Sequence, residues 1–480
     1  MSIQDLIGTC SISNVLDYTQ FFDTAVTQYS IYEPLLYYSS PRTIFTFGLT
    51  CKAGRVCVLG YYKSAFNINK HLSRFLPNPK EFRGMQARTG TVISGSNAVQ
   101  FMDRAYYQNA DLDVFVDPGY CAEVGQHMII TQGYRITNPS DGAIATAWTR
   151  EESLRHITDL AVGPHGEPLN PPYAHGSVHL VAFMQRTTEA GKTQDAQLIV
   201  ASDSAFHAIL DFHSTCVMNF IAFDRAIALY PLATFENRIN QVMGQYTSAF
   251  NRDESVEAAL AKYQSDDRGF PMRTTHSAEE SRLLFQHGID RKVGDRWCWT
   301  VKFDMVGIEA RQPVVQSLWP FESADGRAPV VPDSIHDPIM ENKWQMSGPP
   351  GCLALKYCII GLPIFKYAYA VADVREALRA RKSNANVVAV RERHGRTHST
   401  WYDNIVSAIT RGDLSVNKGA TFLDESEESE TAQYQDENRD HWPGCGFPMK
   451  VTDKDNAEKL AAKVRRYIEA CAYEEIGGVE

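Results

Sequence analysis

The sequence predicts an α+β fold: a mixed β-sheet with flanking helices, preceded by a helical N-terminal segment and followed by a second α+β region. Three observations carry this. Apolar residues recur every three or four positions through the first 84 residues, the spacing of amphipathic helices. From residue 88 to 136, and again from 178 to 200, short strand-like runs alternate with helical ones. Apolar residues make up 44% of the 480-residue chain, enough to bury a sizeable core and to exclude disorder as its main state.

The elements follow in order. In residues 1–84, Ile31 to Leu36, Thr43 to Leu49 and Val56 to Leu59 supply the helical spacing, and a further run, Phe66 to Phe75, ends before Pro77 and Pro79. The predicted core domain spans 85–235. Thr89, Thr91, Val92 and Ile93 read as a short buried strand, closed by Ser94-Gly95-Ser96, and Asn97 to Tyr107 as a helix. Asp111 to Asp117 alternates polar and apolar until Pro118-Gly119 breaks it, which is a strand. Residues 140–176, rich in Pro, Gly and His, read as an irregular insertion. Val178 to Met184 and Gln197 to Val200 are strands around a polar turn at Gly191, Phe206 to Leu210 starts a helix, and Cys216 to Phe223 is buried. The region 236–415 reads as α+β: a helix over Glu254 to Gln264, a strand over Arg296 to Phe303, two strands between Leu353 and Val371 broken at Gly361-Leu362-Pro363, and a helix over Val374 to Lys382. Residues 416–450 read as an acidic, disordered linker, and 451–480 as a C-terminal helix.

Composition narrows the function classes. The formal net charge is −10, which argues against a broadly basic nucleic-acid binder. Asp424, Glu425, Glu427, Glu428, Glu430, Asp436 and Glu437 supply seven of the negative charges with no Lys or Arg among them, so the remainder is close to neutral. The ten cysteines include no CxxC pair, and their apolar surroundings fit reduced, buried thiols rather than a zinc site. The most apolar stretch, Cys352 to Val371, is interrupted by Lys356 and Lys366 and falls short of the ~20 residues of a membrane span. With no basic leader at Met1-Ser2-Ile3, the expectation is an intracellular protein, cytoplasmic or nuclear, with no membrane partner.

One constellation carries chemistry. A strand runs into Gly95-Ser96, a helix follows, and a second strand presents Asp111 and Asp113 on one face. Carboxylates about 5–7 Å apart on such a face can hold Mg²⁺ or Mn²⁺, hard cations that bridge to phosphates. Two ions about 3.5–4 Å apart stabilise the attacking and leaving oxygens of nucleotidyl transfer. A Gly-Ser turn at a helix N-terminus offers N–H groups and a hydroxyl to a triphosphate. In this order, Ile93-Ser94-Gly95-Ser96 and Asp111-Leu112-Asp113-Val114 resemble the polymerase-β-type nucleotidyltransferase superfamily. Ala87 to Ser96 and His213 to Asn219 resemble, more narrowly, a family of uncharacterised fungal proteins carrying a nucleotidyltransferase-like core, over about residues 35–310.

The resemblance implies an NTP ligand or substrate and a divalent cation at Asp111 and Asp113. It places the triphosphate at Gly95 and Ser96, and a third carboxylate on the strand Gln194 to Val200. Gln197 stands in that slot and cannot serve as a base or a strong Mg²⁺ ligand. Asp195 shares its face ~6.5 Å further along the strand. Two outcomes stay open: a shifted register brings Asp195 in and the protein is an enzyme, or Gln197 faces the pair and the site is a pseudoenzyme. The acceptor of any transferred nucleotidyl group is unknown from sequence.

Other groups compete. His175 and His179, His394 and His398 among arginines, and His213-Ser214-Thr215 after Asp211 read as ordinary polar contacts, the last group as a possible pocket wall. Asp103-Arg104 reads as a helix salt bridge. Pro34-Leu35-Leu36, Arg42 to Phe47 and Cys51-Lys52-Ala53 resemble an F-box, which implies docking to a ubiquitin-ligase adaptor through residues 33–66 and, as the alternative function, a non-catalytic interaction protein.

Overall fold

The computed structural model describes residues 28–108, 110–137, 147–161, 176–246, 254–265, 268–273, 277–309, 321–323, 337–349, 352–362, 365–380, 403, 406–411, 414–416 and 449–450. The fold is α+β, built on a mixed, open eight-stranded sheet. Its strands are β1 (Val92–Ser94), β2 (Leu112–Val116), β3 (Arg135–Ile136), β4 (Val178–Thr187), β5 (Thr193–Ala201), β6 (Asn219–Ile221), β7 (Arg225–Ala228) and β8 (Trp299–Lys302). They lie in the order β8-β7-β6-β1-β2-β5-β4-β3. β1 runs antiparallel to β2, and β2 parallel to β5, with Asp113 opposite Ser94 on one side and Gln197 on the other. A parallel neighbour needs a crossover, which here contains the helices Cys121–Ile130 and Arg150–Ala161 and the β3–β4 pairing.

Both faces of the sheet are covered, because successive strand residues point to opposite sides. Ile93, Val114, Val116 and Leu198 pack with Phe82, Met85, Phe101 and Met128 on one face. Val92, Phe115, Ile199 and Phe220 pack on the other with Phe206 and Ile209. Trp344, fully buried on the strand Lys343–Ser347 of the second region, joins that second cluster and donates its Nε1–H to Tyr230 Oη at 2.8 Å. Asp113 shares the face of Phe115, since side chains two apart on a strand point the same way.

The N-terminal residues are helical: Tyr29–Tyr37, Pro41–Thr50, Lys52–Ala65, Ile68–Leu72 and Pro79–Thr89. Thr89 therefore ends a helix instead of starting a strand. Gly90, at φ 77°, is the left-handed cap that stops the helix and releases β1. The helix predicted from Asn97 to Tyr107 runs instead from Gly95 to Met102, stopped before Arg104, whose φ is 56°. The irregular reading of residues 140–176 is corrected at Arg150–Ala161, a helix. Thr149 Oγ1 accepts from Glu152 N at 3.2 Å and Glu152 Oε2 from Thr149 N at 2.8 Å, a reciprocal cap visible in the sequence as Thr-x-x-Glu. The two strands expected between Leu353 and Val371 are three: Ala354–Lys356, Cys358–Ile360 and Tyr369–Val371. Glu254–Gln264 is a helix over the full predicted length. Most of the 416–450 linker and all of the 451–480 helix lie outside the described residues. No described helix is long and apolar enough to cross a membrane.

Candidate functional site: a carboxylate cradle at a helix N-terminus

β1 ends at Ser94, and the chain turns at Gly95 with φ +63°, a conformation that favours glycine. A Cβ added there would run into Asp113 Oδ2, so glycine is required by space as well as by torsion. The helix Gly95–Met102 starts at this turn, and all eight of its residues are buried. Its N-terminus therefore opens directly onto the carboxylates of β2. Ser96 Oγ donates to Asp111 Oδ1 at 3.4 Å, and Asn97 Nδ2 to the Asp111 carbonyl at 3.3 Å. His71 Nε2 donates to Asn97 Oδ1 at 2.8 Å, which holds that amide in place. Ser94 Oγ, fully buried, ties the turn to the Asn219 carbonyl at 2.5 Å.

The β5 position level with Asp113, where the resemblance implies a third carboxylate, holds an amide. Gln197 is level with Asp113 across the β2–β5 pairing and donates Nε2–H to Asp111 Oδ2 at 3.0 Å. Asp195 is exposed on the far side of that step, and its Oδ1 accepts from Gln185 Nε2 at 3.0 Å. The β-register is unshifted here, Leu112 facing Ala196, so no bulge moves Asp195 alongside Asp113.

Burial pushes the Asp113 carboxyl up to about 8, Asp111 adds to the shift, and Lys262 on the helix Glu254–Gln264 partly opposes it. Two close carboxylates in a poorly solvated place cannot both ionise readily, so the pair retains a proton near neutrality. The positive end of the Gly95–Met102 helix favours negative charge at the same spot.

The fit to a divalent ion is partial. Asp111, Asp113 and the Ser96 hydroxyl are hard oxygen donors close together, a set that suits one Mg²⁺ or Mn²⁺ completed by water and phosphate. Among the described residues no group of three or more His, Cys, Asp and Glu stands ready to hold a metal. A two-ion arrangement does not fit, because an amide stands where the ligand shared with the second ion would be.

The remaining candidates separate from the site. Asp103 pairs with Arg238 at 2.6 Å, not with its neighbour Arg104, which turns away to the Leu36 and Ser39 carbonyls and Tyr61 Oη at 2.9 Å each. His213 shares a 2.7 Å hydrogen bond with Ser214 Oγ, and burial lowers its pKa to about 4. Asp211 is engaged elsewhere, so no Ser–His–Asp triad forms. His175, His394 and His398 lie outside the described residues. Cys121, Cys216, Cys298 and Cys358 are free thiols raised by burial. Sequence reasoning missed His71, Asn97 and Lys262. Only Asn97, next to Gly95-Ser96, carried any local signal.

No family model, curated protein or solved structure matches the chain.

Proposed function

We propose that the protein binds a nucleoside triphosphate together with one Mg²⁺ or Mn²⁺ ion, in a nucleotidyltransferase-like cradle that has lost, or nearly lost, transfer activity. The observation that supports binding is the close approach of the Gly95 turn to Asp113. It sets the N–H groups and Ser96 hydroxyl of a helix N-terminus beside two carboxylates, one array for phosphate and the other for its cation. The order strand, Gly-Ser, helix and Asp-x-Asp strand is the one the resemblance implies. Gln197 supports the pseudoenzyme side of the reading. Its amide neutralises one Asp111 oxygen by hydrogen bonding and contributes no charge to a second cation. When bound, the cation would supply charge neutralisation between carboxylates and phosphates.

Melting the full chain with ATP, GTP, CTP or UTP, with and without Mn²⁺, tests binding. Nucleotide and ion together should raise Tm, since a ligand that binds only the native state stabilises it. No rise with any of the four would overturn the reading. Incubation with labelled NTPs and RNA or protein acceptors, against Asp111→Ala, tests transfer, and the expected result is no label above the variant.

A second reading rests on a different surface. Of the fifteen exposed large apolar side chains among the described residues, nine lie between Tyr29 and Leu59, including Leu35, Tyr38, Phe45, Leu49 and Val56. A cluster of this kind marks an interaction surface, which favours the F-box-like adaptor. Recovery of the ubiquitin-ligase adaptor by the full chain, lost in Phe45→Asp, would support it, and recovery that is unchanged in that variant would remove it.

A further inference from the structure

The helix Tyr29–Tyr37 has nine residues, carries Pro34 in its interior and buries one side chain, Leu36. So short a helix depends on packing, because isolated helices below ~12–15 residues are marginal in water. Its other side is bare. Ile31, Leu35 and Tyr38 recur at i, i+4 and i+7, which sets them in one stripe, and they are 39%, 60% and 86% exposed. The helix Lys52–Ala65 meets this one at Gly60, where an added Cβ would lie 2.9 Å from Tyr32 Oη. Val56 and Lys63 share the stripe of Gly60 and so border that contact. Val56, Leu59 and Lys63 are all exposed. The two helices thus present an apolar face that the described residues leave uncovered.

Charge narrows what can cover it. From Tyr29 to Ala65 the charged residues are Arg42, Lys52, Arg55 and Lys63, all exposed, against Glu33 alone. A second copy presenting the same face would bring like charges together, which is costly. The acidic stretch from Asp424 to Glu437 matches the charge but offers only Ala432 and Tyr434 as apolar residues. Residues 1–27 match on both counts. They hold Asp5, Asp17 and Asp23 with no Lys, Arg or His, and Val15, Tyr18, Phe22 and Ala25 recur at the spacing of an amphipathic helix. They also join the bare helix directly. Gln28, at φ −74° and ψ 125°, is extended, so it interrupts any continuous helix across the join and lets the chain reverse.

We propose that residues 15–26 double back as an amphipathic helix, antiparallel to Tyr29–Tyr37, and cover the face formed by Ile31, Leu35, Tyr38, Val56 and Leu59. Their aspartates then meet a basic surface, and the short helix gains the packing it otherwise lacks. A helix over that segment rises about 18 Å, enough to run the length of Tyr29–Tyr37. The proposal rests on neither the nucleotide reading nor the adaptor reading.

Hydroxyl-radical footprinting of the purified full chain, read by mass spectrometry, tests this. Tyr38 should oxidise at least about threefold more slowly than Tyr106, a tyrosine 66% exposed elsewhere in the chain. Phe22→Asp should abolish the protection of Tyr38 and Leu35. Tyr18→Ser should lower it, and serves if the first variant fails to fold. Tyr38 oxidising as fast as Tyr106 in the wild type overturns the proposal. Protection that survives Phe22→Asp overturns it too, since another segment is then the cover. So does protection that grows with protein concentration, which would make the cover a second copy.

Discussion

The middle of β5 and the segment just past it treat carboxylates in opposite ways. Beside Gln197, the amide, Ser96 and Asn97 satisfy Asp111, and Asp113 meets the excess charge by holding on to a proton. Past Ala201, Asp211 is held by Ser177 and Gln245, and His207 on the helix before it counters the burial that raises its carboxyl. The first arrangement is preorganised around a glycine turn. The second has a histidine on the same short helix to offset its charge. The same residue type therefore behaves differently according to whether its nearest charged neighbour is an acid or a base.

The largest expected effect breaks the first arrangement outright. Gly95→Ala combines a strained φ with a collision against Asp113, and should cost about 2 kcal/mol or more in chemical denaturation and remove any response to nucleotide and Mn²⁺. Gly191→Ala, also at positive φ but with nothing within 4 Å, should cost only about 1 kcal/mol. Equal losses in the two variants would mean that the contact with Asp113 is unimportant.

Gln197→Glu sharpens the comparison next. A third carboxylate removes the hydrogen bond to Asp111 and adds repulsion, so the variant should melt lower without cation. It should recover more than wild type on adding Mn²⁺, and nucleotidyl transfer, if it can be restored, should appear in this variant. A Mn²⁺ response no larger than that of wild type would show that the amide does not occupy a metal-ligand position.

The pH dependence of stability tests the proton on Asp113. Its carboxyl is raised from the ordinary value of 3.8 to about 8, so the folded state binds the proton more tightly than the unfolded chain. That contribution is complete below pH 4 and is lost as pH rises through 8. Asp113→Asn should therefore lack this downward slope, gaining on wild type between pH 4 and 8 in a series of melts. Parallel slopes in the two proteins would place the carboxyl at an ordinary value.

The smallest effect is expected at Asp195→Asn. The side chain is exposed and holds only Gln185, so stability should change by no more than about 0.5 kcal/mol, and Mn²⁺ and nucleotide responses should be unchanged. A lost Mn²⁺ response would return Asp195 to the metal site.

Much of the core was legible because its signals are local. The helix Glu254–Gln264 and the strands flanking Gly191 follow from periodicity, and the approach of Gly95-Ser96 to Asp111 and Asp113 follows from a strand–helix–strand order too short for the chain to separate them. The helix Arg150–Ala161 was also local, through Thr149 and Glu152, but Pro and Gly on either side masked it. The site's outer contacts were not legible. His71 and Lys262 arrive from distant segments, and sequence spacing carries no information about which of many polar residues will face a given carboxylate.

By itself the sequence determined the α+β class, the strand that carries Asp113 with Asp111 just before it, and the glycine turn beside them, because backbone torsion and side-chain alternation act over a few residues. Only the tertiary structure decided whether Gln197 or Asp195 stands beside Asp113. A parallel pairing between segments more than eighty residues apart sets that register, and a slip of two residues would have exchanged them on the same face.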